Sequence, residues 1–226
     1  MKIKYDAIII GAGVIGAAVS FELSKKGFKT LNIDRNPTSG YGSTSASCAI
    51  IRVHYSTFDG CALAYEGYHY WKKWEEYLEH KDEKGLAKFI ECGCMIYQTK
   101  ENDYLKNVIT RAQELEIPYE NWNSEMIKSK LPIVETGKFG PVKLTSDKEF
   151  GKNNGENLKG AIFFPTAGYI SDPQLSAHNL QRASEKKGAD YLFNSSVVKI
   201  LTDRDRVSGV LLNSGESIYA PIVVNV

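Results

Sequence analysis

The stretch Asp6-Ala-Ile-Ile-Ile-Gly11-Ala-Gly13-Val-Ile-Gly16 decides how the chain folds. Tyr5 to Ile10 is a short β-branched apolar run that ends at a glycine, the pattern of a buried strand. Val14, Ala17, Ala18 and Phe21 recur at helical spacing and Gly27 ends the run, which predicts a helix over 14–26. Thr30 to Asp34 (TLNID) reads as a second strand. Strand, helix and strand in so few residues form a βαβ unit, which requires a parallel sheet. The glycines fall where strand passes into helix. Gly11 permits the tight turn, Gly13 lets a diphosphate approach the backbone, and Gly16 allows the helix to pack closely on the strand. The N–H groups and dipole of the helix start suit a diphosphate. Asp34 ends the second strand, where its carboxylate can accept hydrogen bonds from an adenosine ribose and disfavours a 2′-phosphate, which argues against NADP. The fingerprint leaves FAD and NAD open.

Composition narrows the class of partner. The 226 residues carry 28 Lys+Arg against 27 Asp+Glu, so no basic excess points to nucleic acid or an anionic membrane. The length corresponds to about one and a half typical domains and can bury a core without disulfides. Four cysteines (Cys48, Cys61, Cys92, Cys94) are too sparse for a secreted disulfide scaffold. Lys2 and Lys4 before the apolar run Ala7–Val19 imitate a signal peptide, but Gly11, Gly13 and Gly16 interrupt the run and no small-residue cleavage site follows. The run is also too short and broken to span a bilayer. The expectation is a cytoplasmic protein with reduced thiols.

Further along, 36–47 (NPTSGYGSTSAS) is a Gly/Ser/Thr-rich loop. Residues 58–79 read as one long helix, with Tyr65, Tyr68, Trp71, Trp74 and Leu78 forming a stripe that packs on a core. Residues 89–97 read as a strand, 101–114 as a helix, 137–160 as a polar, glycine-rich excursion, and 161–164 as a strand. Residues 172–187 read as a helix with Asp172 as N-cap, Pro173 at the first position and Gly188 as the stop. Four short strand candidates follow at 191–193, 197–201, 207–212 and 222–226. The pair Cys92 and Cys94, two residues apart, is placed on one face of a strand; with no further Cys or His at metal-ligand spacing, these thiols read as inert and no metal is expected. His54, a lone histidine, reads as structural. Neither a Ser-His-Asp arrangement nor a P-loop is present.

Two blocks carry a resemblance. The run Asp6–Asp34 with Gly42-Ser-Thr-Ser-Ala-Ser-Cys-Ala-Ile-Ile-Arg52 resembles the amino-terminal part of the D-amino-acid oxidase, sarcosine oxidase and glycine oxidase family of FAD-dependent oxidoreductases. Gly160-Ala-Ile-Phe-Phe-Pro165, Gly168-Tyr-Ile-Ser-Asp172-Pro173 and Gly188-Ala189, followed by Val197, Ile200, Val210, Gly215 and Ile222-Val-Val-Asn225, resemble its central segment. The likeness covers nearly the whole chain and is loose from about 100 to 158.

The resemblance implies an α/β fold: a Rossmann-like FAD-binding domain formed by 1–85 and 161–226, with 86–160 as part of an inserted α+β substrate domain. It implies FAD as cofactor, held by Gly11, Gly13 and Gly16 around the diphosphate, with Val14, Ile15 and Arg35 as further cofactor-binding residues, Asp34 at the ribose, Ser43 and Thr44 along the ribityl and diphosphate part, and the backbone of Val197 at the adenine. It places Arg52 close to the flavin as the catalytic candidate; read alone, Arg52 could equally be a surface or structural ion pair. It implies oxidation of the C–N bond of a small-molecule amine or amino acid by hydride transfer to flavin. The alternatives are a non-catalytic nucleotide-binding fragment and an NAD-dependent dehydrogenase, which the Ser/Thr loop and the second block disfavour. Relatives continue past the position of Val226 into further substrate domain, so the chain reads as truncated. Unpaired strand edges and exposed apolar surface are then expected, with self-association or a completing partner chain.

Overall fold

Strand β1 (Ala7–Ile10) pairs in parallel with β2 (Thr30–Ile33) on one side and with Ile222–Asn225 on the other, and β2 pairs in parallel with Asp190–Leu192. In the computed structural model of the chain, which describes residues 4–99 and 102–226, these four strands make one sheet in the order 222–225, 7–10, 30–33, 190–192. Helix α1 (Val14–Lys25) joins β1 to β2, so the βαβ unit forms where the glycine pattern predicts it. Alternation along β2 sorts its side chains. Leu31 and Ile33 enter an apolar cluster with Tyr5, Ile8, Val210 and Leu212, while Thr30 and Asn32 are the alternate positions. An antiparallel meander of Val197–Asp203, Arg206–Leu212 and Ser217–Tyr219 supplies Val210 and Leu212 to that cluster.

The chain divides into two compact units. One comprises 1–50, 70–90 and 169–226 and contains the parallel sheet; the other comprises 51–69 and 91–168. In the first, α1 packs beside the helix Pro173–Lys186, and Ala17 and Phe21 share a cluster with Trp74, Leu78, Leu180 and Ala183. The aromatic stripe is therefore core where Trp74 and Leu78 lie. The predicted single helix is two, Phe58–Lys72 and Trp74–Leu78, because Lys73 (φ −114°, ψ 40°) leaves helical geometry between them. Asp172 caps Pro173–Lys186 by accepting a hydrogen bond from the Leu175 N–H at 2.9 Å.

In the second unit, Gly160–Phe164 lies between Cys94–Gln98 and Glu120–Asn123 in an antiparallel sheet. Trp122 stacks on Phe163 at 4.2 Å between centroids and covers Ile127 and Ala161. The predicted strand over 89–97 is broken. Phe89–Ile90 and Cys94–Gln98 are separate because Gly93 takes φ +77° between them, so Cys92 and Cys94 do not share a strand face. Burial pushes the Cys94 thiol up from its ordinary value. The helix expected over 101–114 runs from Leu105 to Glu114, and Glu101 lies outside the described residues. The excursion expected over 137–160 holds no helix or strand before Gly160, where a strand begins, and it exposes Val142 and Leu144. Among the described residues no helix is long and apolar enough to cross a membrane.

Candidate functional site

The three glycines of the turn sit in three different situations. Gly11 has φ +116°, a conformation that L side chains rarely adopt. Gly16 is helical, but a Cβ there would lie 2.3 Å from the Gly11 carbonyl oxygen, so only glycine lets α1 sit this close to the turn. Gly13 has ordinary dihedrals (φ −69°, ψ −177°), and a Cβ on it would meet only the Thr44 hydroxyl, at 3.1 Å. Its value is the open space it leaves at the start of the helix.

That helix start is rich in donors. The first intrahelical bond runs from the Ala17 N–H to the Gly13 carbonyl, so the N–H groups of Val14, Ile15 and Gly16 have no partner within the helix. Thr44 Oγ1 accepts from the Val14 N–H at 3.0 Å, which brings the Ser/Thr loop onto the turn. The loop is tied again by the Gly40 N–H, which donates to the Ala12 carbonyl at 2.8 Å. The Ile15 and Gly16 amides stand at the positive end of the helix dipole, and Ile15 is 65% exposed.

Asp34 is bonded through both of its carboxylate oxygens. Its Oδ2 accepts from the Ala12 N–H at 2.7 Å and its Oδ1 from the Asn36 N–H at 2.8 Å, so the carboxylate is fastened to the turn. Each oxygen keeps acceptor capacity for a hydroxyl. The backbone after Asp190–Leu192 runs alongside: the Asp34 N–H donates to the Leu192 carbonyl, and the Ser195 N–H donates to that of Asp34. Gly11, Gly13, Val14, Ile15, Gly16, Asp34 and Thr44 are thus one constellation. Arg35 and Ser43 adjoin it in sequence and are exposed. Val197 is half-buried in the same unit, where it packs on the cluster of Leu31 and Ile33.

Arg52 belongs to the second unit. Its guanidinium lies 4.7 Å from the centre of the Tyr55 ring, and a hydrogen bond with the Tyr55 side chain raises its pKa from the ordinary value. His54, in the same unit, stacks on Phe164 at 4.8 Å between centroids. Burial, with the Arg52 charge nearby, pushes its imidazole down to about 4, so it is neutral at neutral pH.

Two features were not predicted. Asn32, fully buried on β2, donates through Nδ2 to the carbonyls of Gly11 and Gly16, 3.1 Å each. Its one sequence signal is a polar residue inside an apolar strand. Asp82, Glu83 and His178 bring ligand atoms within 4.8 Å of one another. Asp82 is already held there by the Asn179 amide and the Lys84 N–H, which marks a structural group.

The chain matches the family described as FAD dependent oxidoreductase (DAO) over residues 6–226. It is 26% identical to N-methyl-L-tryptophan oxidase of Yersinia pestis (strain Pestoides F), over 97% of this chain and 53% of that protein. Among solved structures it is similar to L-proline dehydrogenase from P. horikoshii (TM-score 0.79, 22% identity, 100% of this chain and 53% of that one). It is also similar to glycine oxidase from Geobacillus kaustophilus (TM-score 0.75, 23% identity, 98% of this chain and 54% of that one). The chain spans about half the length of the relatives it matches. With the family match running from the first strand to the last residue, the chain belongs to the FAD dependent oxidoreductase family.

Proposed function

We propose that this protein binds FAD and oxidises the C–N bond of an amine or amino acid. The observation that carries the reading is the turn itself: two helix N–H donors beside an opening kept clear by Gly13, with the Asp34 carboxylate fastened next to them. This donor and acceptor set fits a diphosphate followed by a ribose. The relatives support the substrate class, since N-methyl-L-tryptophan oxidase, glycine oxidase and L-proline dehydrogenase are all named for amino acids. Bound FAD would supply the acceptor for the hydride that leaves the carbon next to the amine, and water would hydrolyse the resulting imine.

The chain's own residues bind and orient. Ile15 and Gly16 would donate to diphosphate oxygens, Thr44 would fix the end of the helix, and Asp34 would select an unphosphorylated ribose. Val197 would hold the adenine through its backbone, and Arg35 and Ser43 would border the dinucleotide. We assign Arg52 as the catalytic cation because its charge rests on the Tyr55 ring; it would hold an anionic group of the substrate or the flavin.

The test is visible absorption of the purified protein, before and after adding FAD, followed by turnover with N-methyl, D- and L-amino acids. Flavin absorption that survives gel filtration, with turnover of one of these classes, is the expected result; a colourless protein that takes up no FAD overturns the reading. Asp34→Ala should weaken FAD binding by roughly 1–3 kcal/mol, the cost of losing a charged hydrogen-bond partner. An unchanged dissociation constant in a fluorescence titration would remove Asp34 from its assigned role.

A further inference from the structure

We infer that Asn32 is a positioning residue for the nucleotide, acting with Asp34 to hold a single peptide unit of the glycine turn; the inference rests on reading that turn as the FAD site. A residue on an interior strand of a parallel sheet is ordinarily apolar on both faces. Asn32 is an amide on such a strand, flanked by β1 and by Asp190–Leu192, and it is fully buried. Burying an amide is costly unless its hydrogen bonds are made. Here only the donor half is made. Both Nδ2 bonds go to the turn, one to the Gly11 carbonyl and one to the Gly16 carbonyl, while Oδ1 has no protein partner among the described residues. The opposite orientation would set Oδ1 against two carbonyl oxygens, so the amide has one usable direction.

The Gly11 carbonyl and the Ala12 N–H belong to one planar peptide unit and point in opposite directions. Asn32 donates to the carbonyl end, and Asp34 accepts from the N–H end at 2.7 Å. Residues 32 and 34 are two apart on one extended segment, so their side chains leave it on the same side. Together they hold the 11–12 peptide plane from both ends. Asn32 also reaches the Gly16 carbonyl, which ties the first and last glycines through one NH2 group. Loss of Asn32 would free the plane to rotate, loosening the Asp34 carboxylate and the direction of the N–H groups that follow.

The experiment is titration of the full chain with FAD and, separately, with ADP, alongside thermal unfolding of the ligand-free protein. The variants are Asn32→Leu, the smaller Asn32→Ala, and Thr30→Val as control, since Thr30 bonds Ser20 at 2.9 Å two residues earlier on β2 and does not touch the turn. Asn32→Leu and Asn32→Ala should weaken both ligands by on the order of tenfold, whereas Thr30→Val should lower the melting temperature and leave both dissociation constants unchanged. Combining Asn32→Leu with Asp34→Ala should cost less than the sum of the two, because both act on one peptide unit. A folded Asn32→Leu or Asn32→Ala protein with wild-type affinity for both ligands overturns the inference, as do strictly additive effects. If neither variant folds, the wild-type protein decides: the Asn32 side-chain amide resonances should move when ADP is added, and unmoved resonances overturn the inference. Wild-type protein that binds neither ligand defeats the FAD reading itself, a result distinct from Asn32 variants that bind as well as wild type.

Discussion

Gly16→Ala should destabilise the ligand-free protein by roughly 2–4 kcal/mol, the upper part of the range for forcing extra atoms into a packed site. Helix propensity argues the other way, since alanine is favoured over glycine in a helix interior by about 1 kcal/mol. Sterics decide between them. The new Cβ would sit 2.3 Å from the Gly11 carbonyl oxygen and 2.9 Å from its carbon, both backbone atoms with no rotamer to escape into. Relief requires α1 to move off the turn by about 1 Å. That movement also stretches the 3.1 Å bond from Asn32 to the Gly16 carbonyl, so Asn32 no longer ties the helix to the turn. For a chain of this length the melting temperature should fall by about 5–15 °C, and FAD affinity should drop by more than tenfold because the donor geometry is altered. Differential scanning calorimetry and flavin titration on the same preparation check both. A Gly16→Ala protein as stable as wild type would mean that α1 does not pack this closely on the turn.

The same residue shows what was legible in the sequence and what was not. Glycine spacing, strand residues before it and an acid after it are local signals, so the βαβ unit and the positions of Gly11, Gly13, Gly16 and Asp34 could be read directly. Asp172 capping Pro173–Lys186 was legible for the same reason: cap, proline and stop lie within one segment. The bonds of Asn32 and the second role of Asp34 were not legible. They depend on β2 lying beside β1 in the register Ile9 to Asn32 and Ile10 to Ile33, which local sequence does not specify. The break at Lys73 was hidden because the apolar spacing runs through it without a glycine or proline. The helix Ser124–Lys130 was missed because it is short and polar and buries only Ile127, although Asn123 caps it by accepting from the Met126 N–H at 2.8 Å. The break at Gly93 carries a local signal, a glycine inside a strand pattern.

Asn179→Ala should cost roughly 3–5 kcal/mol, because one buried amide satisfies four groups on two other segments. Asn179 lies on the helix Pro173–Lys186 and is fully buried. Its Oδ1 accepts from the Ala87 N–H at 2.9 Å and from Trp74 Nε1 at 3.3 Å. Its Nδ2 donates to Asp82 Oδ2 at 2.8 Å and to the Gly85 carbonyl at 2.9 Å. Truncation leaves these groups unpaired, and one of them is a carboxylate with a fully buried side chain. Burial pushes the Asp82 carboxyl up, but the Lys84 N–H, the Asn179 amide, His178 and Arg182 together hold it below its ordinary value of 3.8. Asp82 therefore contributes stability above about pH 3.8 that is lost on acidification, and Asn179→Ala should shrink that contribution. Asn179→Asp separates packing from charge. It keeps the shape but sets a second carboxyl against Asp82, so the pair created would share a proton and one member would titrate above its unfolded value. The sign then reverses: relative to wild type, Asn179→Asp should be least damaging near pH 4 and progressively worse as pH rises to 8. Chemical denaturation from pH 4 to 8 reads this directly. A pH-independent cost for Asn179→Asp, equal to that of Asn179→Ala, would show that Asn179 acts by packing alone and that Asp82 does not depend on its amide.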